Sequence, residues 1–167
     1  MLMRKTIIFT LVMSFVLLLA STCFASEKPL GDITSDKELT DKLFTGRTLD
    51  PIEGIWVRDE KYVIAIVKTS VVNPQSEKYK KCDYLGINLT KENTKVGLGI
   101  SFTKDIGEIC VGFIKTKYDF SFKSSGFWAR DAYWKLLTPT LLQYDGDYAV
   151  LSPFANQVFI RIYPPAP

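Results

Sequence analysis

From Gly54 onward, short apolar runs alternate with turn-forming residues. Ile55-Trp56-Val57 opens the pattern, and Lys61 to Thr69, rich in β-branched and aromatic residues, is its clearest strand. Tyr84 to Leu89, Val96 to Phe102 and Ile109 to Lys115 read as further strands. Tyr118, Phe120 and Phe122 alternate with polar neighbours, the period of a half-buried strand. Phe127 to Arg130 and Leu136 to Tyr144 follow. Asp145-Gly146 then sits between Leu141–Tyr144 and Tyr148–Leu151, a tight-turn signal for a hairpin. Val158 to Tyr163 is the last strand, ended by a proline-rich tail. Upstream, Ser35 to Glu38 has the form of a capping box, and Leu39, Leu43 and Phe44 recur at helical spacing. This predicts a helix over Asp36 to Phe44, closed by Gly46.

One short helix followed by about eight short strands predicts a mainly β protein: a single antiparallel barrel, or a sandwich. The rhythm of strand, helix, parallel strand is missing, which argues against a nucleotide-binding parallel sheet. Gly97-Leu98-Gly99 lacks the further glycine and the following helix of a phosphate loop.

Residues 1–25 have a different pattern. A basic start (Arg4, Lys5), an apolar run from Thr6 to Ala20 and a small-residue exit ending at Ala25 have the order of a secretory signal peptide, cleaved after Ala25. The run is shorter than the roughly 20 residues of a spanning helix. An alternative uses Cys23 as a lipidated residue, which would tether the protein to a membrane. The expected organisation is a signal over 1–25, a leader with the short helix over 26–48, and the β domain over 49–167. The expected location is outside the cytoplasm, secreted or periplasmic.

The signal changes the charge picture. It carries two of the 21 basic residues and none of the 18 acidic ones, so the remainder has 19 against 18, a net charge of +1. A nearly neutral domain has no general attraction to nucleic acid. Lys78-Tyr79-Lys80-Lys81 is a local basic knot that reads as a solvated loop. The destination also bears on Cys82 and Cys110, because an oxidising compartment favours their pairing as a disulfide.

Candidate chemistry is sparse. The chain has no histidine, so the commonest general base and metal ligand is missing. With two cysteines and no histidine, no metal site is expected, and nothing points to a cofactor. Asp105 with Glu108, and Asp145 with Asp147, are the carboxylate pairs a hydrolase would need. Asp145 has a sufficient role in its turn. The other concentration is aromatic: eight rings fall between Phe113 and Trp134. Most suit a barrel core. Trp128, Trp134, Phe113 and Phe120 are the candidates for lining a ligand pocket.

Gly54-Ile55-Trp56, just after the short helix, resembles the Gly-x-Trp signature that opens the first strand of lipocalin and calycin barrels. In that family a basic residue of the last strand lies over the tryptophan, and Arg161 stands in the matching position. The resemblance implies a cation–π contact between Arg161 and Trp56 at the barrel base, and carriage of a small apolar ligand. Leu49 to Trp56 followed by Val63 to Val67 is also similar to the opening of uncharacterised secreted bacterial β-proteins. Three functions follow as expectations: a non-enzymatic barrel binding a small apolar or amphipathic ligand, an interaction module or inhibitor acting on a protein partner through its surface, and a carboxylate hydrolase.

Overall fold

The computed structural model describes residues 27–31, 36–58, 62–90, 92–96, 100–125, 132–145 and 157–164. Helix α1 (Asp36–Phe44) comes first. Strands β1 (Gly54–Arg58) and β2 (Tyr62–Lys68) follow, then two one-turn helices, α2 (Thr69–Val72) and α3 (Glu77–Lys80). Next come β3 (Tyr84–Asn88), β4 (Glu92–Val96), β5 (Ile100–Lys104) and β6 (Ile109–Lys115). The chain ends with β7 (Ser121–Ser125), β8 (Tyr133–Thr138), β9 (Leu141–Asp145) and β10 (Gln157–Tyr163).

Eight strands close into an antiparallel barrel in the order β1-β10-β9-β8-β7-β6-β3-β2, so the expected eight-strand barrel is what forms. Closure removes the free edges that a sandwich would retain. β4 and β5 pair only with each other and lie outside the barrel order. The sequence pattern reads one strand over Val96 to Phe102; instead Val96 ends β4 and pairs with Ile100, which begins the antiparallel β5. Pro139-Thr140 likewise divides the single run Leu136 to Tyr144 into β8 and β9. The Tyr148–Leu151 arm of the expected Asp145-Gly146 hairpin, and the run Phe127 to Arg130, lie outside the described residues.

Alternation along the strands separates two apolar layers. Inside the barrel pack Trp56, Ile64, Ile66, Tyr84, Phe113, Phe122, Trp134, Leu142, Tyr144 and Phe159. Outside β1, β2, β3 and β6 a second layer joins Ile55, Ala65, Val67, Leu85 and Ile87 to Leu39, Leu43 and Phe44 of α1. β2 reads as a continuous apolar run because both its faces are covered: Ile64 and Ile66 point in, Ala65 and Val67 point out under the helix. Leu39, Leu43 and Phe44 are at most 3% exposed, and each such side chain stabilises by roughly 1.5–3 kcal/mol on burial. Arg47 Nε donates to the Leu43 carbonyl at 2.7 Å and Gly46 takes a left-handed φ of 78°, which together end the helix. The opposite wall is bare: on β10, Val158, Ile160 and Ile162 are 42%, 54% and 53% exposed.

Cys82 and Cys110 do not form the disulfide expected from the compartment; both remain thiols. The β3–β6 register explains this. Cys110 lies at the irregularity beside Gly86 and Ile87, whereas Cys82 precedes Gly86 by four residues, just ahead of the start of β3 at Tyr84. At about 3.3 Å per residue that offset is roughly 13 Å, beyond the ~7 Å Cα separation a disulfide spans. The Cys110 thiol donates instead to the Gly86 carbonyl at 3.2 Å, and Cys82 to the Lys78 carbonyl at 3.6 Å.

Candidate functional site

The strand connections divide the barrel into two ends. At one end lie the entry segment 50–53, the β2–β3 connection, the β6–β7 turn and the β8–β9 turn. At the other end β1, β3, β7 and β9 finish and β2, β6, β8 and β10 begin, with the root of the β4–β5 hairpin between β3 and β6.

The first end is closed by a polar knot around Trp56. The indole is fully buried, and its Nε1–H donates to the Ile52 carbonyl at 2.9 Å. The Arg161 guanidinium carbon stands 5.7 Å from its ring centroid. Arg161 also donates to the carbonyls of Glu53 at 2.5 Å, Pro139 at 3.2 Å and Tyr163 at 3.4 Å. Burial lowers the Arg161 pKa from its usual value, and the Glu53 charge acts against that. Gly54 makes the approach possible: a Cβ there would collide with the Tyr163 carbonyl oxygen and lie 2.9 Å from Arg161 Nε.

Glu53 holds the knot from below. Its side chain is fully buried yet has three donors. Oε1 accepts from Arg47 Nη2 at 2.6 Å and from the Lys68 N–H at 2.9 Å, and Oε2 accepts from the Asp50 N–H at 2.9 Å. Beside it, the Tyr84 hydroxyl donates to Asp50 Oδ2 at 2.6 Å, and Lys68 pairs with Asp50 at 3.0 Å. The Tyr84 bond is the main reason the Asp50 carboxyl is held below the usual aspartate range; burial works against it and Lys68 adds to it. Sequence reasoning missed Glu53, Asp50 and Tyr84 as a group. Their only advance sign is that Asp50 and Glu53 flank Pro51 immediately before Gly-x-Trp.

Toward the other end the interior wall is aromatic. Trp134 is 6% exposed, with ring centroids of Phe113, Tyr144 and Phe159 at 5.2, 4.7 and 5.3 Å. Its Nε1–H donates to Ser124 Oγ at 2.7 Å. Phe113 also meets Phe122 edge-on at 6.4 Å. At the far end of β1, Arg58 follows Gly54 and Trp56 on the inner face, and it is 9% exposed. Its guanidinium carbon is 3.8 Å from the Tyr62 centroid and 5.6 Å from that of Phe159.

Of the four residues expected to line a pocket, the structure therefore brings Phe113 and Trp134 together. Phe120 lies apart from them: it is 55% exposed in the β6–β7 turn, at φ 57°. The alternation through Tyr118, Phe120 and Phe122 fails because the chain still turns at Tyr118, whose carbonyl accepts the Ser121 N–H. Trp128 lies outside the described residues, as do Cys23 and Asp147. Asp105 pairs with Lys28 at 3.1 Å, and the Glu108 N–H closes a turn on the Asp105 carbonyl. Among the described residues, no three His, Cys, Asp or Glu side chains gather as metal ligands would.

In comparisons with known proteins, no family model, no curated protein and no solved structure matches the chain.

Proposed function

We propose that this chain is a non-catalytic binding protein whose barrel takes a small amphipathic ligand through the end away from Trp56 and Arg161. Arg58 carries the reading. It places a guanidinium on the inner face at that end, stacked on Tyr62 and Phe159 and next to the wall of Trp134 and Tyr144. An aromatic surface suits an apolar body, and an interior guanidinium suits an anionic head. The closed opposite end supports a single direction of entry.

The test is a titration with anilinonaphthalene sulfonate, which combines an aromatic body with an anionic head. Saturable one-to-one binding with energy transfer from tryptophan is expected. Arg58→Met keeps apolar packing but removes the charge-assisted bond, so affinity falls about tenfold or more. A dye signal that does not saturate, or one that Arg58→Met leaves unchanged, overturns the reading.

One observation favours a second reading, an interaction module. Val158, Ile160 and Ile162 line up on the outer face of β10, Ile160 pairs with Leu141, and Leu137 is 45% exposed nearby. Ile160→Lys abolishing capture of a protein partner, with dye binding intact, would establish it.

A further inference from the structure

A second recess lies outside the barrel and does not depend on the reading of its interior. The β2–β3 connection folds back as α2 and α3 toward the end of β6, leaving a groove of about 430 Å³. Lys68, Lys80 and Lys115 line it, brought there by β2, α3 and β6. The groove's lining carboxylate, Asp83, is engaged: its Oδ2 accepts the backbone N–H of Lys115 at 2.7 Å. The Lys115 ammonium itself stands 5.2 Å from the Tyr84 ring centroid. Lys80 is paired at 2.7 Å with Glu77, whose side chain is 79% exposed, a contact that water and salt weaken. Lys68 pairs with Asp50 at 3.0 Å. Thr69, also in the lining, has a buried Oγ1 with no hydrogen-bond partner among the described residues. That atom is closed off from solvent and lies beneath the groove surface.

The geometry points to this groove as a binding site for a small oxyanion of the phosphate or sulfate class. An ammonium offers three N–H donors to such a group, and the charge-assisted bonds are roughly twice as strong as neutral ones. The ammonium groups of Lys80 and Lys115 close on the anion from α3 and β6. Tyr84 forms the apolar floor, which keeps one side of the site dry.

Inorganic phosphate titrated into the whole 15N-labelled protein tests this. Saturable amide shifts are expected at Thr69, Ser70, Asp83 and Lys115, weakening as salt rises. Lys80→Ala with Lys115→Ala should lower the affinity about tenfold, since each removes a charge-assisted contact. Both side chains are exposed, and the Lys115 N–H to Asp83 is a backbone bond that the variant keeps. Shifts that do not saturate, or a double variant that binds phosphate as the native protein does, overturn the site. Phosphatidylglycerol vesicles identify the source. Co-sedimentation abolished by the double variant supports the site with a lipid headgroup as its oxyanion. Phosphate saturation without co-sedimentation supports it with a soluble one.

Discussion

Replacing Glu53 by Gln tests whether the closed end is held by one buried carboxylate. The two side chains have nearly the same shape, so packing is preserved and only charge and hydrogen-bond polarity change. Glu53 is fully buried and accepts from three donors, the Arg47 guanidinium and the Asp50 and Lys68 amides. A glutamine side chain presents one oxygen and one NH2. Whichever way it is turned, the NH2 faces at least one N–H, and a buried donor loses its acceptor. A hydrogen bond to a charged group contributes about 1.5–3 kcal/mol, and an orphaned buried donor costs about 1–3 kcal/mol. The expected destabilisation is therefore about 3–5 kcal/mol, the range found when one partner of a buried ion pair is removed. For a domain of this size that corresponds to a Tm lower by roughly 10–15 °C. The assay is urea unfolding followed by tryptophan fluorescence, with the midpoint falling at unchanged m. Lys37→Ala, which breaks the exposed Lys37–Asp41 pair on α1, serves as the control and should leave the midpoint in place. A Glu53→Gln loss below about 1 kcal/mol would refute the idea that this carboxylate organises the base.

Gly54→Ala should cost about 3 kcal/mol or more, because the new methyl meets the Tyr163 carbonyl at φ 149°; faster hydrogen exchange along the β1–β10 pairing checks it. The Asp50–Tyr84 bond makes stability depend on pH at the acid side. Asp50 is held low in the fold, so its contribution is present above the ordinary aspartate pKa of about 3.9 and is lost as pH falls through the lowered folded value. Tyr84→Phe should raise the acid-unfolding midpoint, and an unchanged midpoint would contradict the assignment. At the alkaline side, burial pushes Tyr79 up to about 12 and raises Tyr84 as well, with Asp50 adding to the second. Both contributions are present below a pH of about 10 and are lost as pH rises through the folded values. Absorbance at 295 nm should show these two ionising well above the ordinary tyrosine value of about 10, with a single transition near 10 as the contrary result. Finally, Cys82 and Cys110 should both react with a thiol reagent in denaturant without prior reduction; a two-hydrogen mass deficit between them would contradict the β3–β6 register.

Local periodicity carried much of this fold. The spacing of Leu39, Leu43 and Phe44 and the stop at Gly46 place α1 over its observed residues, and β6 follows its β-branched run from Ile109 to Lys115. The barrel follows from strand number and short connections. What periodicity could not carry is anything decided by distance between strands. The cysteine expectation came from the redox environment, which constrains chemistry but not the offset between β3 and β6. Phe120 matched the alternating pattern, yet its positive φ puts it in the turn, a backbone state that the apolar pattern does not encode. Glu53 is a single acid before a glycine, and its role exists only once Arg47, Lys68 and Arg161 arrive from three other segments. Phe113 and Trp134 were legible as a pair of large rings, but their contact depends on β7 lying between their strands.

The β4–β5 hairpin has a consequence for how this chain can change. β3 pairs directly with β6, and the Gly107 and Asn88 N–H groups continue that ladder to the hairpin's root through the Asn88 and Glu108 carbonyls. The enclosure is therefore complete without the excursion between them. Residues there can lengthen, shorten or be exchanged while every barrel pairing stays in register. The chain thus carries an appendage on which new specificity can be tried, fixed to a frame that does not depend on the outcome.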